Sequence, residues 1–239
     1  MELTLVIPAY NEGAIIGETV ETVLRSLPDK FDGFELIVVD DGSTDDTGEV
    51  IKRISGVSVI SHGQNRGKGY AVRTGLSRAR GNLVFFTDAD LAYGLDIIET
   101  GASILKETGA DIVVGSRRLH KDGYGEYPIL RAIASKCFSL VLRTVSGMGY
   151  DTQCGIKGFV KHASDDISKN CVSDGYTFDF EAMLRAKRCG YSITEMPVRI
   201  VNHRESKVNM ARDSFAMLRE IAGIKQRIKK EEAWENITS

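Results

Sequence analysis

Short apolar runs that stop at acidic or turn residues constrain this chain more than any other feature. Leu3-Thr4-Leu5-Val6-Ile7 ends at Pro8, and Glu35 to Val39 ends at Asp40-Asp41-Gly42-Ser43. Val57 to Ile60 precedes a turn at Asn65-Arg66-Gly67-Lys68-Gly69, Leu83 to Thr87 ends at Asp88-Ala89-Asp90, and Ile112-Val113-Val114 closes the series. These runs lack the apolar–polar alternation of a half-exposed strand, so they are expected to be covered on both faces. Between them lie helical segments. Glu12 to Leu27 repeats Ile15, Ile16, Val20, Val23, Leu24 and Leu27 near a period of 3.6. A second helix is expected from Thr44, read as its N-cap, to about Ile54. A third runs through Ala79 and a fourth from Leu95 to Thr108. The alternation predicts an α/β fold with a mostly parallel central sheet and helices on both faces. In open sheets of this kind the ligand lies beyond the carboxyl ends of the strands. Pro8-Ala9-Tyr10-Asn11-Glu12, Asp40-Asp41-Gly42-Ser43 and Asp88-Ala89-Asp90 therefore fall on one sheet edge.

The second half is less regular. Pro128 to Val145 reads as a helix, Gly155 to Val160 as a strand, Thr177 to Cys189 as a helix and Ile193 to Val201 as a strand. Met210 to about Glu232 reads as an amphipathic helix with a stripe of Met217, Ile221, Ile224 and Ile228. The length suits one large domain, 1–209, divided near residue 118, with a helical tail at 210–239. The net charge of −2 makes no bulk case for nucleic acid. Positive charge is instead local: nine Lys/Arg against three Asp/Glu from Arg199 to Lys230, and six against two from Ser116 to Arg143. Cys137, Cys154, Cys171 and Cys189 form no CxxC pair, so buried thiols in a reducing compartment are expected, not a zinc site or disulfide framework. Glu2 stands where a signal peptide would be basic, and Leu3 to Pro8 is too short for its apolar core. No apolar run reaches the ~18 residues of a transmembrane helix.

In Asp88-Ala89-Asp90 the carboxylates stand at i and i+2, on the same side of an extended segment. Two hard oxygen donors suit Mg²⁺ or Mn²⁺ arriving with substrate phosphates. Such a pair alone is more often a polar turn. Asp40 and Glu12 on the same edge favour a site.

Taken together, Val6-Ile7-Pro8-Ala9-Tyr10-Asn11-Glu12, Val38-Val39-Asp40-Asp41-Gly42-Ser43-Thr44-Asp45 and Asp88-Ala89-Asp90 resemble family 2 glycosyltransferases of the GT-A fold. Asp151-Thr152-Gln153-Cys154-Gly155-Ile156-Lys157-Gly158-Phe159, Phe178-Asp179-Phe180-Glu181 and Glu205-Ser206-Lys207 are similar to the dolichyl-phosphate glucosyltransferase branch. The resemblance implies a nucleotide-sugar donor (UDP- or GDP-hexose), a divalent metal, a polyprenyl-phosphate acceptor and inversion at the sugar carbon. It makes 1–118 the nucleotide-binding half and 119–209 the acceptor-binding half. Pro8, Tyr10 and Glu12 would wall the base and ribose, and Asp40 would accept from the uracil N–H. Asp88 and Asp90, flanking Ala89, would be the catalytic metal-binding pair, with Asp88 near ribose or metal-bound water. Lys68, opening a helix, would meet the phosphates, as would nearby backbone N–H groups.

An acceptor phosphate is already ionised at neutral pH and needs no strong base, only cations to hold it. Arg117, Arg131, His203, Arg204 and Lys207 are the candidates, with Ser206 beside them. Asp151 and Asp179 would orient these cations or cap helices. Glu181 reads as an exposed acid in a helix's first turn. Where related mannose synthases often carry a Gln after the second metal Asp, this chain has Ala92, a loss shared with the glucosyl branch. The expected activity is transfer of glucose from UDP-glucose to dolichyl phosphate by a cytoplasmic protein resting peripherally on the membrane or on a membrane-anchoring partner. The helix from Pro128 and the C-terminal helix would provide that contact. The alternatives are mannosyl transfer from GDP-mannose, a sugar-phosphate nucleotidyltransferase and a nucleotide-binding scaffold. One Gly and no Lys between Pro8 and Gly13 speak against the nucleotidyltransferase.

Overall fold

The computed structural model describes residues 1–125, 129–202 and 210–238. Its strands are β1 (Leu3–Ala9), β2 (Phe34–Asp40), β3 (Ser58–Ser61), β4 (Leu83–Phe86), β5 (Ile112–Ser116), β6 (Lys157–Val160) and β7 (Ile193–Pro197). Its helices are α1 (Gly13–Ser26), α2 (Thr47–Lys52), α3 (Lys68–Arg78), α4 (Asp96–Thr108), α5 (Ile129–Ser146), α6 (Lys161–Asn170), α7 (Phe178–Arg188) and α8 (Met210–Thr238). The strands form one sheet in the order β3-β2-β1-β4-β6-β5-β7.

Successive side chains of a strand point to opposite faces, and here both faces are covered. Leu3, Leu5 and Ile7 pack with Leu36, Val38, Phe85 and Val113 against Ile16, Val20 and Val23 of α1 and Ile98 and Leu105 of α4. Val6, Ile37, Val39, Val84, Phe86 and Val114 pack on the other face against Val72 and Leu76 of α3, Ile167 of α6 and Phe180 and Met183 of α7. Ile221, Ile224 and Ile228 of α8 join that second cluster. Three of the four residues in the apolar stripe of the C-terminal helix are thus buried on the domain, and Met217 is half-buried.

Four expectations change. β6 runs antiparallel to both β4 and β5, within an otherwise parallel sheet. Its reversed direction brings the segment before it, Asp151 to Ile156, to the edge where β1, β2 and β4 end. The helix α6 was not expected. Its only apolar residues, Ala163 and Ile167, are one turn apart, too sparse a pattern to signal a helix, yet both are buried. The second helix begins at Thr47, not after Thr44. Asp45 takes the Thr47 amide at 3.0 Å and the Gly13 amide at 3.1 Å, while the Thr44 amide goes to Asn11 Oδ1 at 2.8 Å. Finally, β7 stops at Pro197, short of Val201.

Two of the four thiols, Cys154 and Cys171, are buried as expected, whereas Cys137 and Cys189 are exposed, and all four are free. Among the described residues no helix is long and apolar enough to cross a membrane.

Candidate active site

The sheet changes winding direction at β1, which lies between β2 and β4, and such switch points open a crevice at the strand ends. Ala9 pairs with Asp40, and the Thr87 amide bonds to the Val6 carbonyl at 3.1 Å, so the three polar clusters emerge together. The first two loops are stitched to each other. The Asn11 amide donates to Ser43 Oγ at 2.9 Å and the Glu12 amide to Thr47 Oγ1 at 2.8 Å. Pro8 and Glu12 are half-buried on this edge, and Tyr10 is exposed. Asp40 is buried and accepts the Ser43 amide through Oδ1 at 3.0 Å.

Asp41, its neighbour, has a different task that the sequence did not single out. Its buried carboxylate meets His62 Nδ1 at 2.7 Å and accepts the amides of Arg66 and Gly67, the latter at 2.7 Å. It thereby holds the loop that presents Lys68. Gly67 closes that loop at φ +101°, and a Cβ there would lie 2.4 Å from the Asp174 carbonyl oxygen. Only glycine fits both demands.

Asp88 and Asp90 are half-buried, and Ala89 between them packs toward α1, its carbonyl accepting from Thr19 Oγ1 at 2.7 Å. Asp90 Oδ1 accepts the Ala92 amide at 3.1 Å. Leu91 follows at φ +47°, a costly backbone for a residue other than glycine and one that clusters at functional sites. Lys68 Nζ lies 2.6 Å from Asp88 Oδ1. Burial opposes the charge on Lys68, but the carboxylates of Asp88 and Asp179 outweigh it and raise its pKa. For Asp90, burial and the charge of Asp88 raise the pKa, with Glu12 adding to the effect, against the Ala92 N–H and Lys68.

The residues present fit a hard dication. Asp90 sits in an excess of negative charge that a dication relieves, and both donors are carboxylate oxygens. Among the described residues no group of three or more His, Cys, Asp or Glu forms a full cage. Mg²⁺ is ordinarily held by one or two carboxylates plus waters and substrate phosphates, so two suffice.

The second half supplies the floor. A Cβ on Gly155 would lie 2.0 Å from Asp88 Oδ2, so the segment before β6 closes directly on that carboxylate. Lys157, wholly buried on β6, is ion-paired with Asp179 and donates to the Cys154 carbonyl at 2.7 Å. Lys157 was missed as a site residue. Its signal was a charge inside the apolar run Ile156 to Val160, because a buried lysine is rare unless paired.

Glu181 is buried, not an exposed first-turn acid. It accepts the amides of Val172 and Ser173 and the guanidinium groups of Arg185 and Arg227. Arg117 is likewise buried, and Asp151 grips it bidentately at 2.9 Å for both bonds. Of the other cations expected to hold an acceptor phosphate, the side chain of Arg131 on α5 lies outside the described residues. So do His203, Arg204, Ser206 and Lys207.

Residues 4–167 match the model of glycosyl transferase family 2. The chain is 31% identical over 252 residues to a dolichyl-phosphate beta-glucosyltransferase of Saccharomyces cerevisiae, covering 93% of this chain and 74% of that protein. It is 29% identical over 224 residues to glycosyltransferase AglD of Haloferax volcanii, covering 91% of this chain but spanning only 36% of that protein. Among solved structures, glucosyl-3-phosphoglycerate synthase from Mycobacterium tuberculosis, in complex with Mn²⁺, UDP and phosphoglyceric acid, superposes with a TM-score of 0.65 at 23% identity. The match covers 91% of this chain and 77% of that one, and it establishes a shared fold. The chain belongs to glycosyl transferase family 2.

Proposed function

We propose that the protein transfers glucose from UDP-glucose to a polyprenyl phosphate such as dolichyl phosphate, with inversion. The carrying observation is the convergence of Asp40, Lys68, Asp88 and Asp90 on the edge where β1, β2 and β4 end. The similarity to dolichyl-phosphate beta-glucosyltransferases over most of the chain supports the choice of sugar and acceptor.

In this reading Pro8, Tyr10 and Glu12 wall the base and ribose, and Asp40 accepts the uracil N–H. Asp88 and Asp90 hold Mg²⁺ or Mn²⁺, which supplies Lewis-acid neutralisation of the leaving diphosphate. Lys68 adds a point charge to the same diphosphate. The acceptor phosphate attacks as an anion, so the chain supplies positioning and no general base. Arg117 is a strut held by Asp151 at the floor. Arg131, His203, Arg204, Ser206 and Lys207 are the proposed acceptor contacts.

The lipid acceptor calls for a membrane surface. α5 supports peripheral contact, on the cytoplasmic side where nucleotide sugars are expected. Leu140 is 62% exposed, Val141 and Val145, one turn apart, are also exposed, and so is Lys136 a turn before Leu140.

The test is transfer to a short polyprenyl phosphate with Mn²⁺, comparing UDP-glucose with GDP-mannose. Glucose transfer from UDP-glucose is expected, with a loss of at least about 100-fold in Asp90→Asn. Preference for GDP-mannose would replace the donor assignment, and full activity in Asp90→Asn would refute the metal role.

A further inference from the structure

One ammonium in the site stands between two carboxylates. Lys68 Nζ is 2.6 Å from Asp88 Oδ1 and 4.0 Å from Asp179 Oδ2. The two carboxylates differ in how they are held. Asp88 stands on the open edge, its side chain 37% exposed. Asp179, in the first turn of α7, is buried, and its other oxygen is ion-paired with the wholly buried Lys157. The backbone around Lys68 is equally fixed. Asp41 holds the loop before it, and the Tyr70 amide donates to the Asp174 carbonyl at 3.1 Å, tying α3 to the loop that leads into α7. The Lys68 side chain itself is a compact charge on a flexible four-carbon stem, with its ammonium already within reach of both carboxylates.

Asp88 has two claims on it. It is the partner of Lys68, and it is one of the two carboxylates that fit a dication. We infer that Lys68 competes internally with the metal for Asp88, and that Asp179, pinned by Lys157, receives Lys68 when a dication takes Asp88. The chain Lys157–Asp179–Lys68–Asp88 is then a hand-over device. The buried pair is its fixed end and Lys68 its moving part. It makes Lys157 and Asp179 positioning residues for metal binding, a role neither has in the transfer step itself. A cation too weakly attracted to displace an ammonium from Asp88 is excluded. The inference rests on the metal reading of Asp88 and Asp90 but not on the sugar or the acceptor.

The experiment titrates Mn²⁺ alone into the full chain, without donor or lipid, and follows free Mn²⁺ by electron paramagnetic resonance. The parent, Lys68→Met, Asp179→Asn and the double variant are compared. Lys68→Met is expected to tighten Mn²⁺ about tenfold, since a like charge beside a site shifts its occupancy by that order. Asp179→Asn is expected to weaken Mn²⁺ several-fold in the parent and to have little effect in Lys68→Met. That non-additivity marks an action carried through Lys68, because independent sites add. Unchanged or weaker binding in Lys68→Met overturns the inference by itself, whether or not Asp179→Asn folds. Equal effects of Asp179→Asn in both backgrounds overturn the hand-over. A chain that shows the expected Mn²⁺ pattern yet transfers no glucose refutes the proposed activity and leaves this inference standing.

Discussion

Gly155 shows how little space the site allows at the scale of one residue. Its backbone lies outside the left-handed region, so alanine is conformationally acceptable, but the added Cβ would meet Asp88 Oδ2 at 2.0 Å. Gly155→Ala is expected to displace that carboxylate and lower kcat/KM about 100-fold, the usual cost of misplacing a catalytic group by ~1 Å. Steady-state kinetics beside circular dichroism checks this, and the fold should be retained. The placement of Asp40, Asp88 and Asp90 on one sheet edge was legible in the sequence because they stand at or just beyond the ends of apolar runs. Lys157 and Asp41 were not, since what they do depends on partners far away in the chain. Lys157 answers to Asp179 on another element, and Asp41 answers to the amides of Arg66 and Gly67.

Among the elements, α8 departs furthest from its sequence-level reading. Its stripe was legible, but a stripe does not say what covers it. The structure covers it with the domain: Ile221, Ile224 and Ile228 enter the core, and Glu231 pairs with Arg185 and Arg188 of α7. Arg227 of the same helix reaches buried Glu181, which in turn accepts the amides of Val172 and Ser173. The helix therefore braces the loop that adjoins the start of α3. Ile224→Ala is expected to lower stability by roughly 2–4 kcal/mol, as for other buried large-to-small changes. Exposed Lys229→Ala should stay within about 0.5 kcal/mol. Urea titration distinguishes the two, with the midpoint moving at constant slope. The direction of β6 lay outside the reach of the sequence for a related reason. A strand as short as Lys157–Val160 reads the same in either orientation, and only its neighbours β4 and β5 decide it.

For the molecule as a whole, the buried carboxylates set the response to acid. Burial pushes the carboxyl groups of Asp151 and Glu181 up, but Arg117 for the first, and Ser173, Arg185 and Val172 for the second, more than offset it. Both folded pKa values are therefore lowered. Groups of this kind stabilise the fold fully above their unfolded pKa, about 4 to 4.5, and lose that contribution as pH falls through the folded value. Asp90 acts with the opposite sign. Its folded pKa is raised, so its ionisation weakens the fold as pH rises through the interval above the ordinary carboxylate value. The urea midpoint of the parent should fall steeply below about pH 4. Asp151→Asn, which leaves the buried Arg117 without its counter-charge, should cost about 3 kcal/mol at pH 7. The gap between variant and parent should start to narrow below about pH 4, where the unfolded parent takes up the proton, and close only as the pH falls through the lowered folded value of Asp151. A gap that stays constant from pH 7 to pH 3 would contradict the ionic role of that pair.

The α/β alternation, the two covered faces of a mostly parallel sheet and the edge shared by the polar clusters could all be read from the residues in order. Those properties follow from local periodicity and from where apolar runs stop, and both are written along the chain. Which charges face each other became visible only in three dimensions. Pairing of Lys68 with Asp88, of Lys157 with Asp179 and of Arg117 with Asp151 joins residues 20 to 34 positions apart. An ion pair depends on distance in space and on the water excluded around it, and neither is a function of sequence separation.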